Sequence, residues 1–299
     1  MKKIRLGVSN YELSILGLGC INFGTTTEEE IAFRLMDKYV ELGGNLFDTA
    51  NNYAVWNGGD GRESERVIGK WIKNNPALRH QIFVATKLGA RTSEGKRGFE
   101  NMQGTNRKVI LEEVEKSLET LQTDAIDLLY LHVDDMKTEQ EETMEALAEV
   151  VRKGFVRTIG CSNFRTWRIE RARSICEKNK LPFFSAVQQR YSYFQPVMDA
   201  DFGVQICGDK ELESYLDYYK DLTFVSHTSL LYGAYFKNKI DDEQYDTAMN
   251  YRRLEVLKES GMNPVDFVLD KITNQFGGSI ALVTSSNIEH LEQNMRRYI

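Results

Sequence analysis

Four side chains able to exchange protons stand at or just beyond the ends of strand-like runs. Residues 126–132 are mostly apolar and finish in the imidazole of His132. Residues 45–48 finish in the carboxylate of Asp48, with Tyr53 just beyond, and residues 82–87 finish in the amine of Lys87. If such runs are parallel neighbours, Asp48, Tyr53, Lys87 and His132 converge on one edge. That set suits the protonation of a carbonyl oxygen while hydride arrives at its carbon. The acid needs a pKa drawn from the phenol value of about 10 toward neutrality. A lysine beside the phenol favours phenolate, and an aspartate paired with the lysine fixes its position, which gives Tyr53, Lys87 and Asp48 their roles. An imidazole opposite them orients the carbonyl and shares in proton transfer, which suits His132. Each residue also has an ordinary structural reading: an Asx turn at Asp48, a snorkelling Lys87, loop packing by Tyr53, a satisfied core histidine at His132. Four at successive strand ends favour the chemical one.

Positioning these groups requires a parallel sheet. Strand and helix patterns alternate along the whole chain, as in βα units. A hairpin is expected over 4–13 with its turn near Ser9-Asn10, then strands over 14–19, 45–50, 82–87, 126–132, 156–162, 184–190, 223–228 and 279–285. Helices are expected over 63–73, 106–121, 139–152 and 166–178, and another reaching Leu42, capped by the hydroxyls of Thr25–Thr27 and stopped by Gly43-Gly44. Eight strands with eight or more helices predict one (β/α)8 TIM barrel domain over 1–299 with an N-terminal β-hairpin, its chemistry on the loops after the strand ends. An open doubly wound sheet would need G-x-G-x-x-G, and Gly17-Leu18-Gly19 lacks the third glycine in place. The longest irregular stretches, 89–104 and 196–209, are candidate covers for substrate or cofactor.

Bulk properties narrow the class. An apolar fraction of 41% with 27% charged residues fits a globular enzyme with a large core. No stretch approaches the roughly 20 apolar residues of a membrane span. The N-terminus, Met1-Lys2-Lys3-Ile4-Arg5, is basic but lacks an apolar signal region, so a cytoplasmic location is expected. A net charge of -6 spread along the chain argues against nucleic-acid binding. Cys20, Cys161, Cys176 and Cys207 have no metal-ligand spacing and read as free thiols, with no metal site.

The runs Phe47-Asp48-Thr49-Ala50-Asn51-Asn52-Tyr53, Glu63-Ser64-Glu65, Ile68-Gly69-Lys70, Ala85-Thr86-Lys87, Asp127-Leu128-Leu129-Tyr130-Leu131-His132 and Gly160-Cys161-Ser162-Asn163-Phe164 resemble those of the aldo-keto reductases. The resemblance covers nearly the whole chain. It implies a (β/α)8 barrel, an NAD(P)H cofactor, a small-molecule carbonyl or alcohol substrate, and a catalytic tetrad of Asp48, Tyr53, Lys87 and His132.

The same resemblance assigns the cofactor contacts. Ser162, Asn163 and Gln188 match the residues that hold the nicotinamide carboxamide, and Tyr191 matches the aromatic that stacks on its ring. Ser162-Asn163 also reads as a helix cap before Thr166. Thr228, Ser229, Leu230 and Gly233 resemble the pyrophosphate belt, with Lys237 a candidate added cation. Ser285, Ser286, His290, Gln293 and Asn294 resemble the segment gripping the adenosine end. Thr284, Ser286 and His290 stand where NADPH-preferring relatives carry Lys or Arg, so NADP(H) is expected with weakened discrimination against NAD(H).

Phe23 and Trp56, after the first two barrel strands, either line the substrate pocket or pack between loops. Arg91 and Lys96 are either contacts for an anionic substrate or solvated charges. Many relatives carry a longer C-terminal loop over the substrate than a chain ending at Ile299, which leaves the pocket open or closed by another element. The sequence reads as a reductase of aldehydes or ketones. A cofactor-binding sensor or regulatory subunit with little turnover is the alternative. Neither the substrate nor the oligomeric state is legible.

Overall fold

In a computed structural model, which describes residues 1–92 and 101–299, eight parallel strands close into a barrel. A two-stranded antiparallel sheet precedes them, β1 (Lys3–Arg5) with β2 (Glu12–Ser14). The barrel strands are β3 (Leu16–Gly19), β4 (Leu46–Asp48), β5 (Phe83–Leu88), β6 (Ile126–Leu131), β7 (Val156–Ser162), β8 (Ala186–Arg190), β9 (Thr223–His227) and β10 (Ser279–Val283). Each pairs with the next, and β10 closes on β3. The expected eight-strand barrel and its hairpin are therefore both present.

Helices α1 (Glu29–Glu41), α2 (Glu63–Asn74), α3 (Arg107–Leu121), α4 (Gln140–Arg152), α5 (Thr166–Asn179) and α6 (Lys210–Tyr219) follow successive strands. After β9 come α7 (Ala248–Glu259) and α8 (Pro264–Thr273), and after β10 comes α9 (Ile288–Met295). Most starts obey local chemistry. Asn106, Asp209, Thr247, Asn263 and Asn287 each accept a backbone N–H of the first turn, satisfying donors that helix geometry leaves unpaired. The expected hydroxyl caps of α1 do not form. Glu28 holds the cap position without a side-chain bond; Thr25 Oγ1 donates instead to the Asn22 carbonyl, and Thr27 is held in the same turn through its backbone, its N–H donating to that carbonyl. Among the described residues no helix is long and apolar enough to cross a membrane.

Alternation along the strands sorts the core into two compartments. One set of side chains faces the helices. The other fills the barrel, where Leu46, Phe83, Ala85, Leu128, Tyr130, Ala186, Val225, Ile280 and Leu282 form one cluster. Leu6 and Leu13 of the hairpin segment join that cluster, so the hairpin plugs the end of the barrel where the strands begin. Burying each such leucine contributes about 1.5–3 kcal/mol. Gly160 is what makes room for Tyr130: a Cβ there would meet its ring at 2.7 Å. Phe23, offered above as pocket or packing, is fully buried among the core residues outside the barrel and does not reach the mouth.

Candidate active site

The inner face that packs the barrel also delivers the site. Stepping two residues on from each inward residue gives Asp48 after Leu46, Lys87 after Ala85, His132 after Tyr130, Gln188 after Ala186, His227 after Val225 and Thr284 after Leu282. Ser162 completes the ring on β7, in register with Gln188. All but Lys87 line a cavity of about 1020 Å³ at the ends of the strands. Lys87, 1% exposed, lies just beneath it.

The Lys87 ammonium has three protons and three partners. It donates to Asp48 Oδ1, to the Thr49 carbonyl at 2.8 Å and to the Tyr53 hydroxyl at 2.8 Å. Asp48 Oδ2 accepts from Gln188 Nε2 at 2.8 Å, so both carboxylate oxygens are held. Since the Tyr53 oxygen accepts from Lys87, its own proton is free to be directed into the cavity. His132 meets Tyr53 edge-on, ring centroids 5.9 Å apart, and its buried Nδ1 has no hydrogen-bond partner among the described residues.

Burial governs the proton affinities. It raises the Tyr53 pKa to about 12, although Lys87 works in the opposite direction. The expected drift of the phenol toward neutrality therefore does not occur, because desolvation of the phenolate outweighs the adjacent cation. Burial also pushes Lys87 down, but Asp48 and Tyr53 outweigh it and the ammonium is held above its ordinary value. Desolvation and then Lys87 keep His132 far below the imidazole value. Desolvation, Arg190 and Lys87 bring His227 down to about 3. Both imidazoles are neutral at pH 7.

The two histidines carry a consequence for stability. Each rejects in the fold a proton that the unfolded chain takes up near its ordinary value of 6.5. Their contribution is present above that pH and is lost as pH falls, for His227 toward about 3. The melting temperature is expected to fall between pH 7 and 4.5, and less steeply in His227→Asn. Glu65 and Asp134, whose pKa values burial raises, act in the opposite sense, so the comparison with the variant is the informative one. Parallel curves for the two proteins would remove His227 from the account.

Most of the residues expected at the cofactor lie on this cavity: Ser162, Asn163, Gln188, Thr228, Leu230, Gly233, Ser285, Ser286, His290, Gln293 and Asn294 all line it. Tyr191 does not. Its ring packs edge-on against Phe224 and Phe276, at 5.8 and 4.9 Å, because it sits one position past the inward-facing end of β8. The aromatic group on the corresponding wall is His227, at the end of β9, with Nδ1 3.0 Å from Thr228 Oγ1. Counting inward positions along β9 would have found it. Ser162 and Asn163 do not cap α5, whose cap position is Arg165. Asn163 instead donates to the His132 carbonyl at 2.9 Å and accepts from the Ile206 amide at 3.1 Å.

Trp56 stands half-exposed on the rim and meets Tyr53 edge-on at 6.4 Å. Ile21, Ala90, Met102, Val133 and Val204 add apolar wall that the sequence reading did not single out. Val204 and Gln205 bring the irregular stretch 196–209 to the mouth. Lys237 is not on the cavity; it pairs with Asp241 at 2.8 Å. Nor is Arg91, and Lys96 lies outside the described residues.

The wall suits a dinucleotide. Short amide and hydroxyl side chains cluster beside the tetrad, and the turn after β9 runs through left-handed conformations at Thr228, Tyr232 and Gly233, bending the backbone around the cavity. Thr284 Oγ1 stands so near Gly19 that a Cβ there would meet it at 2.6 Å, so this part of the wall is bare backbone. The volume is at the upper limit of the roughly 300–1,000 Å³ typical of small-molecule sites.

Comparison with known proteins agrees with this fold. The model of the "Aldo/keto reductase family" matches residues 15–298. The uncharacterized oxidoreductase YrpG of Bacillus subtilis (strain 168) is 36% identical over 195 residues, 65% of this chain and 59% of that protein. An aryl-alcohol dehydrogenase of Pestalotiopsis microspora is 36% identical over 196 residues, 62% of this chain and 48% of that protein. The chain thus spans about half the length of the curated relatives it matches. The holo form of the aldo-keto reductase AKR11C1 from Bacillus halodurans superposes with a TM-score of 0.75 at 27% identity, covering 99% of this chain and 90% of that one. An eight-stranded barrel matched by that family's model from residue 15 to residue 298 places the chain in the aldo/keto reductase family.

Proposed function

We propose that the protein reduces aldehydes or ketones with a nicotinamide cofactor. The observation that carries this reading is the Lys87 ammonium, whose three protons are spent on Asp48, Thr49 and the Tyr53 oxygen, leaving the Tyr53 proton for a substrate in the cavity. A reduced nicotinamide bound in the cavity would supply the hydride for the carbonyl carbon. Tyr53 gives its proton to the carbonyl oxygen as charge develops there, and Lys87 stabilises the phenolate left behind. Asp48 balances and orients Lys87. His132, neutral, donates a hydrogen bond that orients the carbonyl. Trp56 and the apolar wall exclude water from the reacting atoms.

A pKa of about 12 keeps Tyr53 loaded with its proton throughout the physiological range, which favours reduction over alcohol oxidation. Ser162, Asn163 and Gln188 would hold the carboxamide, with His227 rather than Tyr191 as the ring neighbour. Thr228, Leu230 and Gly233 would meet the phosphates, and Ser285, Ser286, His290, Gln293 and Asn294 the adenosine. The reading is tested by following loss of reduced nicotinamide with a panel of aliphatic and aromatic aldehydes and ketones. Absence of turnover, with tight cofactor binding and a copurifying partner, would favour the sensor instead.

Cofactor choice yields a second expectation. Among the described residues that line the cavity there is no lysine or arginine, so a ribose 2′-phosphate would be met by hydroxyls, amides and His290. NADP(H) is expected to bind, with its dissociation constant within about a hundredfold of that for NAD(H), a difference below about 2.7 kcal/mol. Fluorescence titration of both cofactors checks it, and a larger gap would refute it.

A further inference from the structure

Outside the cavity, and untouched by the reaction described above, lies a buried ion network whose members flank the acid. Arg62, Glu65 and Glu113 are 7%, 0% and 2% exposed, and none of them lines the cavity. Arg62 Nη1 donates to Glu65 Oε2 at 2.7 Å, and Arg62 Nη2 donates to Glu113 Oε2. Asn51 Nδ2 donates to that same Glu113 oxygen at 2.7 Å. Thr86, the neighbour of Lys87, donates to Glu65 Oε1 at 2.7 Å.

The network thus touches both ends of the Tyr53–Lys87 contact. Arg62 pairs with Tyr53 as an isolated parallel bridge, and Asn51 lies two residues before Tyr53. Asn51 is wholly buried, and its Oδ1 has no partner among the described residues. Its side chain is therefore held by the single bond to Glu113, which only the amide nitrogen can make. Removing one guanidinium and two carboxylates from water is a poor route to stability, since apolar side chains of similar volume often do as well or better. What such charges supply is fixed direction, because a planar guanidinium bridging two carboxylates allows few alternatives.

We propose that Glu113 is a positioning residue. Its carboxylate ties Arg62 and Asn51, on the two sides of Tyr53, to α3, and the chain Arg62–Glu65–Thr86 carries the same constraint to the strand that bears Lys87. The inference rests on the reading of Tyr53 as the acid. It adds that the acid's place above Lys87 is set from outside the cavity.

The test compares Glu113→Gln and Arg62→Lys with Tyr53→Phe on the full chain. Glu113→Gln keeps the shape but removes the charge facing Arg62. Arg62→Lys keeps the charge but cannot span both carboxylates. In both, kcat is expected to fall by about tenfold to a hundredfold, the scale of a misplacement of about 1 Å. The KM for the carbonyl and the dissociation constant for NADP⁺ should stay within about threefold of wild type, because the cavity wall is unchanged. A kcat within twofold of wild type in both variants, or KM and cofactor affinity worsening as much as kcat, would overturn the proposal. So would failure of both variants to fold, which would assign the network to stability. If Tyr53→Phe retains turnover, the acid assignment has failed. If it loses turnover while Glu113→Gln and Arg62→Lys do not, only the network has failed.

Discussion

Tyr53→Phe is expected to lose turnover of every carbonyl that the wild type reduces, by roughly 10²- to 10⁴-fold, the usual contribution of a positioned general acid. The substitution removes one oxygen and leaves the ring, with its edge contacts to Trp56 and His132, in place. Cofactor binding should therefore be nearly unchanged, and the loss should appear in kcat rather than in KM. The pH dependence follows from the raised pKa. With the phenol at about 12, reduction should be flat from pH 6 to 9, since Tyr53 keeps its proton and His132, already neutral, does not titrate there. Alcohol oxidation needs the phenolate, so its rate should climb by about tenfold per pH unit across the same window. Full turnover in Tyr53→Phe would end the assignment, and a reduction rate that falls steeply above pH 7 would end the account of its pKa.

Lys87→Met should cost both activity and stability. The ammonium is buried and surrounded by acceptors; without it the Asp48 carboxylate remains in the interior with, among the described residues, only the Gln188 side chain donating to it. Breaking a buried pair by removing one partner typically costs about 3–5 kcal/mol. Turnover should fall by about 10²- to 10³-fold, the scale seen when a single donor to a developing anion is removed. The double variant Asp48→Asn/Lys87→Met separates the two effects, because it no longer leaves an unpaired charge. It is expected to regain most of the stability, read by chemical denaturation, and almost none of the turnover. Recovery of both together would mean that Lys87 serves the fold and not the chemistry. Single substitutions that are equally stable would mean that the pair is not the buried one described here.

The four tetrad positions were legible because each lies at or near the end of a run whose own pattern marks a strand, and parallel strands align their ends. The barrel was legible for a related reason: alternating periods of two and 3.6 leave few ways to bury both faces of a sheet. Tyr191 was misplaced, and Phe23 was left between pocket and packing, because sequence proximity to a strand end does not say which face a residue takes. Tyr191 falls one position past the inward-facing end of β8 and is turned onto Phe224 and Phe276. Phe23, in the turn after β3, is drawn into the outer core. His227 was missed although it obeys the same alternation as Lys87, since a lone histidine at a strand end has no partner in the linear sequence to distinguish it.

What the sequence determined by itself was periodicity: which runs are strands, where they end, and which chemical types stand there. The tertiary structure alone decided the face each residue takes, the three acceptors that Lys87 meets, and the burial of Tyr53. Periodicity is local, a property of each segment's backbone. Desolvation and hydrogen-bond saturation depend on groups as far apart in the chain as Asp48 and Gln188, and only closure of the barrel brings them within 2.8 Å.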